Sequence, residues 1–162
     1  MKETKTVLTI AGSDSCGGAG IQADIKTISA LGLYAASCIT AITAQNTMKV
    51  TALQKVGGNI LVNQINAVLE DFTVSAIKIG MLHSKEIPLY IKNALIKNKY
   101  NGFIVLDPVL VSTSGCYLGT DKLLGSMERN LFPLSTLITP NIPEAEAILD
   151  VEIKDEEDMI KA

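Results

Sequence analysis

Small, polar and acidic residues recur at the ends of short apolar runs in this sequence. The densest group is Gly12-Ser13-Asp14-Ser15-Cys16-Gly17-Gly18-Ala19-Gly20. Gly12 to Gly17 has the G-x-x-x-x-G spacing of a phosphate-binding P-loop, but Gly18-Ala19 stand where that motif needs Lys and Ser or Thr. Without the lysine the motif fails. Gly18-Ala19-Gly20-Ile21-Gln22-Ala23 fits the dinucleotide pattern G-x-G-x-x-A, yet no acid falls between Ile25 and Leu69 to take a ribose hydroxyl. What remains is a glycine loop opening a helix. It reads either as a tight strand-to-helix turn or as a place where a ligand meets bare backbone N–H groups.

Other candidates follow later runs: Gln45-Asn46-Thr47, Gly80-Met81-Leu82-His83, Asp107-Pro108-Val109 with Ser112-Thr113-Ser114-Gly115, and Thr139-Pro140-Asn141-Ile142-Pro143-Glu144. Asp24 shares a helix face with Ile21 and Ile28, where a carboxylate needs a partner or a ligand; alternatively it serves the helix dipole. Gln45 offers a donor and an acceptor, which suits two-point pairing with an aminopyrimidine edge, or else bonds local backbone. Met81 either covers a flat ring with its polarizable sulfur or fills a core gap. Asp107 suits a divalent cation or its waters, or caps a loop. Asn141-x-x-Glu144 reads first as a helix capping box. His83 is the only histidine, which argues against a Ser-His-Asp hydrolase and a His-rich zinc site. Cys16 has no basic neighbour in sequence and reads as an unreactive loop cysteine.

These residues need elements to hold them. Val7–Ala11, Ala35–Ala44, Ala76–Ile79, Phe103–Leu106 and Thr136–Ile138 are short, Ile- and Val-rich runs bounded by Gly, Pro, Asn or Asp, as buried strands are. A weaker strand is expected over Val50–Val56. Ile21, Ile25 and Ile28 mark a helix closed by Gly32. Asn59 is expected to cap a second helix through Phe72, and Ser84 a third that ends near Tyr100-Asn101-Gly102. Thr120 to Leu131 predicts a fourth, stopped by Pro133, and Lys154 to Ala162 opens a last one. Strand–helix alternation with fully apolar strands predicts an α/β fold, a mostly parallel sheet flanked by helices on both faces. Ligands of such sheets bind beyond the carboxyl ends of the strands, where the polar residues above converge.

The composition bounds the rest. The chain has 162 residues and a formal charge of -3, from 14 Lys+Arg and 17 Asp+Glu. That length suits a single domain over 1–162. Hydrophobic residues at 48% against 19% charged exclude a disordered chain. The acidic balance leaves no electrostatic footprint for nucleic acid. Cys16, Cys38 and Cys116 lack C-x-x-C spacing and read as reduced cytosolic thiols. No run reaches the ~20 apolar residues of a membrane span. A soluble cytoplasmic protein is the expectation.

Thr9-Ile10-Ala11-Gly12-Ser13-Asp14-Ser15-Cys16-Gly17-Gly18-Ala19-Gly20-Ile21-Gln22-Ala23-Asp24-Ile25-Lys26-Thr27 closely resembles the opening of the hydroxymethylpyrimidine/phosphomethylpyrimidine kinases of thiamine biosynthesis, which have the ribokinase-like three-layer α/β/α fold. Thr43 to Thr47, Ile77 to Leu82, Asp107-Pro108-Val109 with Ser114-Gly115, and Leu137 to Ala145 are similar to that family in the same order. The resemblance implies that Gly12, Asp24, Gln45, Met81 and Val109 bind the pyrimidine. It implies that Asn141 and Glu144 face the nucleotide and that Asp107 faces the metal, with ATP and Mg²⁺ as cofactors. The implied reaction moves the ATP γ-phosphoryl group to the hydroxymethyl group and then to the monophosphate. A homodimer is the implied assembly, and pyridoxal kinases of the same fold are the near alternative. Members of the family continue past the position of Ala162 and carry there a glycine-rich anion-hole loop and the catalytic Asp or Cys. No glycine follows Gly125 here. The expectation is therefore a fold incomplete at its C-terminus, no catalytic residue within these 162, and impaired transfer. A noncatalytic pyrimidine-binding module is the alternative from another class.

Overall fold

A computed structural model describes residues 4–110 and 121–162. The chain order is β1 (Thr6–Asp14), α1 (Gly20–Ala30), β2 (Tyr34–Gln45), β3 (Val50–Lys55), α2 (Gly58–Asp71), β4 (Val74–Ile79), α3 (Ile87–Lys97), β5 (Phe103–Leu106), α4 (Asp121–Asn130), a 3₁₀ turn (Phe132–Leu134), β6 (Leu137–Ile138), α5 (Ile142–Leu149) and α6 (Glu156–Lys161). The six strands among the described residues form one sheet in the order β3-β2-β1-β4-β5-β6. Every pairing is parallel except β2 with β3, which is antiparallel. The expected α/β architecture is what forms.

The crossovers dictate which face each helix covers. The β1-to-β2 step runs one way along the sheet, and the steps from β3 through β4 and β5 to β6 run the other way. Right-handed connections therefore put α1 on one face and α2, α3 and α4 on the opposite one. Burial agrees. Leu8 and Ile10 of β1, Ile77 and Ile79 of β4, and Ile104 and Leu106 of β5 form one cluster with Leu61 and Ile65 of α2, Ile87, Ile91 and Leu95 of α3, and Leu123 and Met127 of α4. Ile21 and Ile28 of α1 are buried outside that cluster, where α1 lies on β1 and β2. Strand alternation then sends Thr9 and Lys78, which sit between core residues, to the α1 side. That assignment builds the site.

Two helix starts differ from expectation. Asn59 lies inside α2, whose N-cap is Gly57 with no side-chain cap bond. Ser84 gives its carbonyl, not its hydroxyl, to the Ile87 N–H at 3.2 Å, and the N-cap of α3 is Glu86. In both places Pro or Gly geometry sets the boundary without a cap side chain; α3 has Pro88 in its first turn. The third helix also ends early, at Lys97, because Lys99 takes a left-handed φ of 53° and turns the chain toward β5. Among the described residues no helix is long and apolar enough to cross a membrane.

Candidate active site

β1 delivers the chain into the glycine loop at Asp14, and that side chain organises everything after it. Its Oδ1 accepts the Cys16 N–H at 2.8 Å, and its Oδ2 accepts those of Gly18 and Ala19 at 3.0 and 2.9 Å. Asp14 is only 4% exposed. These are the N–H groups an incoming phosphate would need, so the loop carries its own anion. Of the two sequence readings, the turn is the one that forms. Gly20 is required here, since its φ is +56° and a Cβ would collide with the Gly12 carbonyl oxygen. Gln22 completes the turn, accepting the Asp14 N–H at 2.8 Å and donating to Ser13 Oγ at 2.7 Å.

The end of β2 is pinned to the same loop. Ser15 Oγ donates to the Gln45 carbonyl and accepts the Gln45 N–H, both at 2.8 Å. Thr43 Oγ1 contacts the Ser13 carbonyl at 2.9 Å and Gln45 Oε1 at 3.2 Å. The Gln45 carboxamide oxygen is thus turned toward Thr43.

Beside these strand ends lies a cavity of about 310 Å³. Gly12, Asp24, Gln45, Met81, Asp107 and Val109 all line it. Four of the five strand ends that the sequence singled out thus converge, joined by Asp24 of α1, while the fifth, Thr139 to Glu144, does not line the cavity. Asp24 is not there for the helix dipole: its Oδ2 accepts the Thr9 hydroxyl at 2.6 Å, and its Oδ1 lies 3.4 Å from Lys78 Nζ. Lys78 Nζ is also 3.4 Å from Asp107 Oδ2. A partly buried cation therefore stands between carboxylates from α1 and from the end of β5. Lys78, Thr9 and Thr43 escaped the sequence reading. A lone lysine inside the apolar run Ala76-Ile77-Lys78-Ile79 was the available signal, because a charge in a covered strand needs partners.

Asn141 and Glu144 are not among the cavity-lining residues. They form the capping box of α5: Asn141 Oδ1 accepts the Glu144 N–H at 2.9 Å, and Glu144 Oε2 accepts the Asn141 N–H at 3.0 Å. Glu144 Oε1 also takes the Leu110 N–H at 3.3 Å, which ties α5 to the chain just after Val109. His83 does not line the cavity, and its buried Nδ1 has no hydrogen-bond partner. Burial, with Lys55 nearby, holds its pKa below the ordinary value, against an opposing pull from Glu86. Ser112 to Gly115 and Cys116 lie outside the described residues. Among the described residues no group of three or more His, Cys, Asp or Glu is arranged to hold a metal by itself.

Comparison with known proteins agrees with this fold. The sequence profile of the phosphomethylpyrimidine kinase family matches residues 14–162. A hydroxymethylpyrimidine/phosphomethylpyrimidine kinase of Haemophilus influenzae is 44% identical over 156 residues, which is 96% of this chain and 58% of that protein. The crystal structure of phosphomethylpyrimidine kinase from Clostridium difficile superposes with a TM-score of 0.89 at 48% identity, covering 96% of this chain and 69% of that one. A Staphylococcus aureus pyridoxal kinase solved with AMP-PCP gives a TM-score of 0.86 at 31% identity, covering 98% and 58%. The chain spans 32%, 58% and 53% of three curated relatives it matches.

Proposed function

Since this chain belongs to the phosphomethylpyrimidine kinase family, we propose that its cavity binds 4-amino-5-hydroxymethyl-2-methylpyrimidine and its monophosphate, the acceptors of successive phosphoryl transfers from ATP in thiamine biosynthesis. The observation that carries this reading is the convergence of Gly12, Asp24, Gln45, Met81 and Val109 on one cavity. Gly12 gives the flat ring room, and Met81 supplies a polarizable surface to it. The Gln45 carboxamide and the Asp24 carboxylate offer the donor and acceptor that an aminopyrimidine edge pairs with.

Asp107 is the carboxylate toward the transferring group. Magnesium commonly uses one or two carboxylates plus substrate phosphates, not a closed protein cage, so Asp107 fits, with no group of three or more His, Cys, Asp or Glu arranged to hold a metal among the described residues. When bound, Mg²⁺ and the triphosphate supply charge neutralisation for phosphoryl transfer. The chain's own residues orient the acceptor and keep its hydroxymethyl group directed toward Asp107. Asn141 and Glu144 belong to the nucleotide side in this reading, and their capping box fixes the N-terminus of α5 there. Because the relatives are longer, these 162 residues taken alone are proposed to bind pyrimidine but to transfer phosphoryl poorly. A cytoplasmic homodimer belongs to the same reading.

Titration calorimetry on the 162-residue chain, with the pyrimidine alcohol, pyridoxal and ATP in separate runs, tests it. Saturable heat with the pyrimidine is expected, and a coupled ATP assay should show little turnover. Tighter binding of pyridoxal would overturn the substrate assignment, and normal turnover would overturn the impairment.

A further inference from the structure

The two transfers differ in what the cavity must accept. The alcohol is neutral, whereas its monophosphate brings a phosphate group into a space lined by Asp14, Asp24 and Asp107. Asp14 is already held by three N–H groups, which leaves Asp24 and Asp107 as the carboxylates facing an anionic ligand. Placing a phosphate beside them without a cation is unfavourable in a partly desolvated site. Among the described lining residues, Lys78 is the only cation.

Lys78 is also placed and free to act. It stands between Asp24, on the ring side, and Asp107, on the side of the transferring group, which is where the 5-substituent of the ring must lie. Both of its ion contacts are 3.4 Å, well beyond the roughly 2.7–2.9 Å of strong charge-assisted hydrogen bonds. Its three N–H donors are therefore only loosely engaged. Gly80 leaves the space that the ammonium occupies, since a Cβ there would stand 2.7 Å from Nζ. A ligand phosphate offers it shorter bonds than either carboxylate does.

We propose that Lys78 reads the phosphate of the monophosphate substrate, leaving Asp107 to do so, and thereby makes one cavity serve both acceptors. This rests on the pyrimidine reading above. The test compares the alcohol and its monophosphate by calorimetry on the 162-residue chain, without nucleotide or metal, in the parent protein, Lys78→Met, Lys78→Arg and Gly80→Ala. The readout is the ratio of the two affinities. Lys78→Met should shift that ratio against the monophosphate by roughly tenfold to a hundredfold, the usual range for losing a hydrogen bond to a charged group. Lys78→Arg should restore most of it. Gly80→Ala, which keeps the charge but displaces the ammonium, should shift the ratio the same way by less. If Lys78→Met fails to fold by circular dichroism, the other two variants carry the comparison. A ratio unchanged in the variants, or a parent protein that binds the alcohol and not the monophosphate, overturns the inference and leaves the pyrimidine reading standing. A parent protein that binds neither overturns both.

Discussion

The methyl end of Met81 lies directly over Gly12, so close that a Cβ on Gly12 would come 2.5 Å from Met81 Cε. The two residues share the wall between β1 and the loop after β4. Gly12→Ala must therefore move Met81, and because the clash is with the end of a flexible side chain, the fold can absorb it. The thermal midpoint should change little, with a stability effect below about 1 kcal/mol. Affinity for the pyrimidine should fall about tenfold or more as the sulfur leaves the ring. Differential scanning fluorimetry alongside calorimetry separates the two effects. A large drop in stability with intact binding would contradict this account.

Asp14 is the keystone of the glycine loop. Asp14→Ala leaves the Cys16, Gly18 and Ala19 N–H groups without their acceptor. The loop is half in solvent, so water recovers part of the loss, and a destabilisation of about 1–3 kcal/mol is expected in urea unfolding. Asp14→Asn keeps one oxygen and should lose less. Equal stability of all three proteins would show that the carboxylate does not hold the turn.

The capping box makes a prediction that separates structure from ligand binding at α5. Asn141→Ala removes a cap and should cost about 1 kcal/mol, whereas Asn141→Asp keeps the cap geometry and should keep the stability. Asp at this position also adds a negative charge on the side assigned to the triphosphate. A protein with full stability but weakened nucleotide interaction in Asn141→Asp is the expected pair of results. Unfolding and nucleotide titration measure them.

His83 sets a pH dependence of known sign. Its folded pKa lies below the ordinary 6.5, through burial first and the charge of Lys55 second. The folded state then binds fewer protons than the unfolded state between the two pKa values, so stability rises with pH there. His83 stabilisation is complete above about pH 6.5 and is lost as pH falls from there through the folded value. His83→Gln should shrink the stability difference between about pH 7.5 and pH 5. Chemical denaturation at both values measures it, and an unaltered difference would assign the acid sensitivity to carboxylates instead.

Much of this could be read from residue order, and the reasons are local. Phe103–Leu106 is a strand in sequence and structure because Ile and Val between Gly and Asp leave few other choices. The capping box at Asn141 was legible because its partners are three residues apart. Asn59 and Ser84 misled because a cap-forming residue near a boundary need not be the one that caps. Lys78 was missed for a different reason. Its partners come from α1 and from beyond β5, and they meet only because β4 lies between β1 and β5 in the sheet. That adjacency depends on crossover direction, which no window of sequence contains.

The glycine loop closed by Asp14 has a consequence for the direction of chemistry. In the proposed function, the glycine loop after β1 already holds an anion, so the triphosphate belongs toward β5 and β6. The strand tips then work as a ruler. From β2 through β1, β4 and β5 to β6 there are four strand spacings, about 19 Å at the usual separation. An aromatic ring and a triphosphate laid end to end need a length of that order, so under the proposed function strand order itself would rank acceptor before donor along the edge.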